Sequence, residues 1–172
     1  MAARVPARRR SLANSAGICL GRAYSFDLVR PGLALYGGVP RDAASGNIQQ
    51  VARPEAQVLQ RRTARAGESV GYGATVTADR DTELAILNIG YADGYFRSFA
   101  GSGEALADSC RLPLVGRVSM DLVAVDCSAL PALAEGDWVE LEFDLPTASA
   151  ASGMSQYELL TSLGDRFERV WS

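Results

Sequence analysis

From Val51 onward the sequence consists of short apolar runs separated by residues that favour turns. Glycine, aspartate and serine lie at the breaks, for example over residues 101–103 and 135–137, and these residue types tolerate turn geometry. Short strands at this spacing are typical of an all-β barrel or sandwich. We predict strands over residues 56–62, 69–77, 83–89, 110–118, 122–127 and 138–143.

The N-terminal part of the chain has a different pattern, in which helical and extended segments alternate. Residues 1–10 show no apolar periodicity and are expected to form a tail outside the fold. Residues 12–20 favour a short helix, and residues 26–38 favour a strand, a Pro-Gly turn and a short apolar element ended by paired glycines. This order is typical of α/β architecture, but a single such unit cannot close a barrel.

Two or three further elements are expected near the C-terminus. Ser155 and Glu158 have the spacing of a capping box, which predicts a helix that runs to Gly164. Residues 147–152 form either a weak helix or a loop. Residues 169–171 favour a final short strand.

The chain contains no lysine and no histidine, so all 17 basic side chains are arginines. Schiff-base amines, histidine-activated nucleophiles and imidazole metal ligands are therefore excluded from this polypeptide. Cys19, Cys110 and Cys127 form no C-x-x-C pair, so no metal site is predicted and a reducing compartment is indicated.

The charge and hydropathy of the chain indicate which kinds of partner it is expected to bind. The net charge is −3 and the acidic residues are scattered, which favours neither a nucleic acid nor a membrane surface. Every apolar run is shorter than the roughly 18 uninterrupted residues of a membrane helix. We expect a soluble, cytoplasmic protein.

Three segments place one polar or aromatic side chain among glycines and other small residues, which allows a backbone to approach a ligand closely. They are residues 71–75 (Gly-Tyr-Gly-Ala-Thr), 90–95 (Gly-Tyr-Ala-Asp-Gly-Tyr) and 116–121 (Gly-Arg-Val-Ser-Met-Asp). Each one alone is explained by an ordinary turn or strand. Their order along the chain is far more specific.

Together with residues 13–16 (Ala-Asn-Ser-Ala), 29–37 and 157–160, these segments closely resemble alanine racemase, a pyridoxal-phosphate enzyme of fold type III. The resemblance implies a mainly β chain: a C-terminal β-barrel-like domain preceded by the last strands and helices of an α/β (TIM-type) barrel. Residues 1–10 are then a tail, 11–47 the barrel remnant and 48–172 the β domain. The family's cofactor-bound lysine lies earlier in the barrel and has no counterpart here.

The resemblance assigns catalytic and substrate-binding roles. Tyr72 matches the tyrosine base that moves the α-proton on one face of the substrate, while lysine serves the other face; in the family it reaches into the neighbouring subunit's site. A free phenol holds its proton at neutral pH, so this role requires an activating environment. Tyr91 and Met120 match residues at the substrate entrance and carboxylate end. A homodimer with shared active sites and a small amino-acid substrate are therefore expected.

The implied cofactor is pyridoxal 5'-phosphate. Arg30 matches the arginine hydrogen-bonded to the pyridine nitrogen; because a guanidinium cannot accept a proton, this contact makes the ring a weaker electron sink. Phosphate binding is expected from the Ser15 hydroxyl, the amides of Gly32 and Leu33, and the Tyr157 phenol. Ser15 taken alone is also explained as a helix cap.

Other residues are expected to support the site or to depart from the family pattern. Asp93 and Asp121 are interpreted as carboxylates that hold loops, with Arg117 as a charge partner for one of them. The family usually has a histidine at the position of Ser11, so we expect Arg30 to lack a supporting partner. Because residues 1–10 also show no resemblance, we expect a truncated or mis-started gene product, or a cloned fragment.

Three functions stay open. The first is the C-terminal part of an alanine racemase, which interconverts L- and D-alanine when joined to a complete barrel and is inactive alone. The second is a non-catalytic β-domain module that dimerises with or complements a racemase subunit. The third is a generic β-barrel binding protein, to be distinguished by whether Tyr72, Tyr91 and Met120 converge.

Overall fold

The structure, a computed structural model, describes residues 6–171 and contains two compact units. One unit runs through Ala52 and the other begins at Arg53, a few residues beyond the boundary expected after residue 47. Part of the predicted tail, residues 1–5, lies outside the described residues. Pairing begins at Arg10, whose amide donates to Asp27 Oδ2 over 2.8 Å, while the Asp27 amide donates to the Arg10 carbonyl over 3.1 Å.

The first unit contains a parallel pair of strands, β1 (Ser11–Asn14) and β2 (Leu28–Arg30), with a short helix α1 (Ser15–Ile18) directly after β1. The helix predicted over residues 12–20 is wrong in its first part, because pairing with β2 overrides the helix propensity of leucine and alanine. The strand, turn and apolar element predicted over residues 26–38 are confirmed, and the apolar element is the 3₁₀ helix Leu33–Tyr36.

The second unit contains eight strands, six of which close into an antiparallel barrel. They are β3 (Glu55–Ala64), β4 (Ser69–Val70), β5 (Val76–Thr77), β6 (Thr82–Leu87), β7 (Glu104–Ala107), β8 (Cys110–Val115), β9 (Val123–Asp126) and β10 (Trp138–Leu141). The barrel order is β10-β3-β6-β9-β8-β7, and β10 also pairs with β7. Each barrel strand therefore has two partners, which removes exposed edges and confirms the predicted mainly β, barrel-like class.

The barrel core is filled by side chains that the strands direct inward. Leu87, Leu112, Val125 and Leu141 are all fully buried. Each such side chain contributes about 1.5–3 kcal/mol when it leaves water. A register shift in β3 between Val58 and Gln60 interrupts the inward alternation at this point of the strand.

Two helices follow the barrel. Helix α2 (Leu145–Ser152) begins after Asp144, whose side chain accepts a hydrogen bond from the Thr147 amide, so the helical alternative for residues 147–152 is correct. Helix α3 (Gln156–Ser162) confirms the helix predicted from the Ser155 cap.

In the second unit, the structure differs from the predicted strands in three places. Residues 69–77 form the separate hairpin β4–β5, because the glycine-rich centre interrupts the strand. Strand β7 is not among the predicted strands, because its Glu-Ala-Leu-Ala sequence favours a helix. The turn at Asp108 and Ser109, with φ values of +46° and +65°, pairs it with β8. Residues 169–171 form no strand. Within residues 6–171, no helix has the length and apolar character needed to span a bilayer.

Candidate active-site elements

The first glycine-flanked motif forms the loop of a hairpin. Strands β4 and β5 place Val70 opposite Val76, and all residues between them are exposed. Gly71 and Gly73 adopt φ values of +80° and +78°, in the left-handed region that favours glycine. The loop leaves the Tyr72 side chain 75% exposed, so its phenol is accessible to a neighbouring molecule.

The Tyr72 loop lies against the third motif, residues 116–121. A Cβ atom on Gly71 would lie 3.3 Å from the Arg117 amide nitrogen, and one on Gly116 would lie 3.2 Å from the Val70 carbonyl oxygen. Both distances are tighter than most contacts of a Cβ atom, so a larger residue at either glycine would require the facing backbone to shift.

The second motif, residues 90–95, contacts the same third motif through backbone hydrogen bonds. The Tyr91 amide donates to the Ser119 carbonyl, and the Ala92 amide donates to the Met120 carbonyl, both over 3.0 Å. A Cβ atom on Gly90 would lie only 2.4 Å from the Met120 carbonyl oxygen, so glycine is required for this contact. The structure thus brings the first and the second motif each into contact with the third motif.

Tyr91 lies beside an open depression on the barrel surface. The Arg97 guanidinium carbon is 4.8 Å from the centre of the Tyr91 ring, which is cation–π geometry. Together with Phe96 these residues line a depression of about 370 Å³. Met120 is 53% exposed. A cation beside an accessible phenol suits a small ligand that carries a carboxylate.

The two carboxylates predicted to hold loops share one arginine, but that arginine is Arg166 and not Arg117. Its Nε lies 3.2 Å from Asp93 Oδ1, and its Nη1 lies 2.7 Å from Asp121 Oδ1. The bond to Asp121 and the charge of Asp93 raise the pKa of Arg166. The sequence offered no signal for this pairing, because Arg166 is far from both carboxylates along the chain and is one of 17 arginines.

Helix α3 places Tyr157 in its first turn, where the phenol is about half exposed. The capping box is complete: the Glu158 amide donates to the Ser155 hydroxyl over 3.2 Å, and the Ser155 amide donates to Glu158 Oε2 over 2.7 Å. The bonds from Ser155 lower the pKa of Glu158. The cap therefore fixes the start of the helix and with it the position of Tyr157.

In the first unit, Ser15 is buried and faces the turn that follows β2. Its hydroxyl accepts hydrogen bonds from the Gly32 amide over 3.0 Å and the Ala34 amide over 3.3 Å. The helix-cap explanation of Ser15 is wrong, because Asn14 caps α1 by accepting from the Gly17 amide. Ser15 instead holds the predicted phosphate-binding backbone in place.

Arg30 lies on β2, two residues before Gly32, and Leu33 then opens the 3₁₀ helix as a buried residue. The Arg30 Nη1 donates to the Ser11 hydroxyl over 2.6 Å, and Nη2 donates to the Leu12 carbonyl over 3.5 Å. The expectation that Arg30 lacks a supporting partner is therefore wrong, since the serine itself accepts the bond.

The predicted site residues are divided between the two units. Ser15, Arg30, Gly32 and Leu33 lie in the first unit, while Tyr72, Tyr91, Met120 and Tyr157 lie in the second. In the part of the chain that the structure describes, no group of three or more cysteine, aspartate or glutamate side chains is placed to hold a metal ion.

Comparison with known families agrees with this architecture. The family model described as "Alanine racemase, C-terminal domain" matches residues 51–171, and "Alanine racemase, N-terminal domain" matches residues 1–40. The second match includes residues 1–10, where the motifs gave no resemblance. The matches define a class of proteins in which an N-terminal domain precedes this β domain. The chain belongs to the alanine racemase family.

Individual relatives extend over nearly the whole chain. An alanine racemase from Methylobacterium nodulans is 46% identical over 169 residues, covering 95% of this chain and 46% of the relative. The crystal structure of alanine racemase from Bartonella henselae with covalently bound pyridoxal phosphate has a TM-score of 0.89 and 42% identity, covering 98% of this chain and 48% of that one. Biosynthetic alanine racemase from Pseudomonas aeruginosa has a TM-score of 0.88 and 39% identity, covering 99% and 49%. The chain spans about half the length of these relatives.

Proposed function

We propose that this chain contributes the C-terminal part of an alanine racemase active site, which interconverts L- and D-alanine when a complete barrel is joined to it. The observation that carries the proposal is that the third glycine-flanked motif, which contains Met120, contacts both the loop of Tyr72 and the motif of Tyr91 on one β domain. Membership of the racemase family supports the same reaction.

Tyr72 is the residue proposed to transfer a proton at the substrate's α-carbon. Its exposed position on a hairpin loop suits a side chain that enters the site of a second subunit. We therefore propose a homodimer in which each β domain lends its tyrosine to the partner's barrel. A side chain that served its own barrel core would instead be buried.

The residues of the first unit fit the phosphate and ring of pyridoxal phosphate. Ser15 accepts from two amides, so its own hydroxyl hydrogen points away from them and is available to an anion. Ser15, Gly32 and Leu33 would hold the phosphate, and Arg30, fixed by Ser11, would bind the ring nitrogen. When bound, the cofactor supplies an electron sink that makes the α-proton of an amino acid acidic.

Substrate recognition is proposed for Tyr91 and Met120. The stacked Arg97 keeps the Tyr91 ring at the rim of the open depression, and the backbone pairing holds Met120 beside it. This part of the site would orient the carboxylate of alanine, so that the α-carbon presents its proton to the Tyr72 phenol.

The chain by itself is proposed to be inactive, because it contains no lysine to anchor the cofactor covalently. The test is a racemase assay on the purified chain with pyridoxal phosphate and L-alanine, beside a fusion in which the barrel part of the Methylobacterium nodulans relative precedes this chain. We expect no activity from the chain and activity from the fusion. Activity of the chain alone that borohydride abolishes would overturn the proposal.

A second candidate function is a non-catalytic module that complements another racemase subunit. The observation that favours it is the closed barrel, which has its own buried core within the second unit. The test mixes this chain with a full-length relative whose tyrosine at the position of Tyr72 is changed to phenylalanine. Rescued activity supports complementation, and activity that stays at the level of the phenylalanine variant argues against it.

A further inference from the structure

Arg166 makes two ion pairs that join segments far apart along the chain. Its Nη1 binds Asp121 in the third motif over 2.7 Å, and its Nε binds Asp93 in the second motif over 3.2 Å. One planar guanidinium therefore holds two carboxylates at once, which an ammonium group cannot do with the same geometry.

The contact between Arg166 and Asp93 stabilises the second motif. The Asp93 side chain is only 8% exposed, and its Oδ2 accepts the Gly90 amide over 2.8 Å while Oδ1 faces Arg166. Removing the partner of a buried, paired charge is strongly destabilising, so this contact with Arg166 matters to the local fold. With Arg166 in place, the 3₁₀ helix Tyr91–Asp93 keeps its shape and its orientation.

The Asp121 contact fixes the third motif beside it. Asp121 directly follows Met120, whose carbonyl accepts the Ala92 amide, and Ser119 accepts the Tyr91 amide. The two backbone hydrogen bonds and the two ion pairs of Arg166 thus connect the same two motifs.

We propose that Arg166 is a positioning residue that sets Tyr91 against Met120 and thereby sets how the substrate carboxylate is received. This inference rests on the racemase function proposed above. Arg166 need not touch the substrate, because it acts through Asp93 and Asp121. Its loss should loosen the substrate-binding face while the barrel core stays intact.

The first test measures hydrogen exchange at the Tyr91 and Ala92 amides in the chain as it stands. Arg166→Gln is expected to speed exchange at both amides by about tenfold, the effect of losing charge-assisted contacts. The matched control is Arg111→Gln, because Arg111 also bridges two carboxylates, Glu104 and Glu142, on another part of the barrel. Exchange at Tyr91 and Ala92 should be unchanged in the control.

The second test uses the fusion with the relative's barrel and separates KM from kcat. Arg166→Gln is expected to raise KM for alanine about tenfold with a smaller change in kcat, and Arg166→Lys to recover only part of this because it keeps charge without the fork. Asp121→Asn removes one contact only and keeps the buried pair, so it remains informative if Arg166→Gln fails to fold. It is expected to raise KM about threefold.

The outcomes separate this inference from the proposed function. If the unaltered fusion shows no racemase activity, the proposed function fails, whatever the exchange rates are. If the fusion is active but Arg166→Gln and Asp121→Asn leave KM unchanged, with unaltered exchange at the Tyr91 and Ala92 amides, the positioning role is overturned. A fall in kcat alone, in step with less folded protein, also overturns it.

Discussion

Arg30 donates a hydrogen bond from Nη1 to the Ser11 hydroxyl over 2.6 Å, across the parallel pair β1–β2. The strand register brings the two residues close, because Ser11 pairs with Leu28, which lies two residues before Arg30 on β2. Arg30 itself pairs with Asn14. A serine thus supports the arginine at the position where the family resemblance implies a histidine. The neutral hydroxyl adds no positive charge beside the guanidinium, unlike a protonated imidazole.

Ser11→Ala is expected to weaken the first unit slightly. The bond is exposed, so its loss should lower the free energy of unfolding by about 0.5–1 kcal/mol. Denaturant unfolding of the chain measures this, with Ser45→Ala, another exposed serine of the same unit, as the control. Equal stabilities of the two variants would show that the Ser11 hydroxyl contributes nothing to the fold.

Two leucines of the barrel strands are predicted to contribute very differently to the free energy of unfolding. Leu87 is fully buried between β3 and β9, whereas Leu59 lies at the register shift of β3 and is 49% exposed. Leu87→Ala should lower the free energy of unfolding by about 2–5 kcal/mol, because it removes buried methyl groups and leaves a cavity. Leu59→Ala should change it by about 0.5 kcal/mol or less. Urea titrations of both variants test the difference, and similar losses would contradict the assigned barrel register.

The close approach of the second and third motifs depends on Gly90. Gly90→Ala would place a methyl group 2.4 Å from the Met120 carbonyl oxygen, so the two segments must separate. We expect a loss of about 1–3 kcal/mol in stability, the usual cost of overpacking, and faster exchange at the Tyr91 amide. Gly164→Ala is the matched control, since its nearest contact would be an ordinary 3.7 Å. A Gly90→Ala variant as stable as the control would show that the contact is not tight.

The capping box predicts a pH dependence of stability. Because the folded state lowers the pKa of Glu158 below its usual 4.5, the unfolded state binds more protons in this range. The contribution of Glu158 is present at neutral pH and is lost as the pH falls from about 4.5 through the lowered value. Glu158→Gln should therefore flatten the acid limb of the stability curve, measured by denaturant unfolding at several pH values. The matched control is Glu168→Gln, at an exposed glutamate nearby.

Much of the fold follows from local sequence signals. The capping box of α3, the turn after β2 and most barrel strands are predicted because caps, Pro-Gly pairs and apolar runs act over a few residues. Strand β1 and strand β7 are not, since their residues favour helix and become extended only by pairing with a distant partner.

The residues of the candidate site also divide into those that local sequence signals predict and those that depend on distant contacts. The glycine-flanked motifs are visible in the sequence because each is local and ordered along the chain. The Arg166 bridge and the Ser11–Arg30 bond are invisible there, because both depend on which side chains the fold brings together. Arg117 was the nearer cation to Asp121 in sequence, yet the fold directs Arg166 to that carboxylate.

Tyr72→Phe tests the proposed proton transfer in the fusion with the relative's barrel. Removal of a general base commonly costs about 10²–10⁴ in rate, and the exposed loop position means that folding should be unaffected. Because the role proposed for Tyr72 is on one face of the substrate only, exchange of the α-proton in deuterated water should persist for one enantiomer of alanine and stop for the other. Tyr24→Phe, another exposed tyrosine, should behave as the unaltered fusion does. Equal loss of exchange for both enantiomers would instead assign Tyr72 to binding, because a residue that only orients the substrate affects both faces alike.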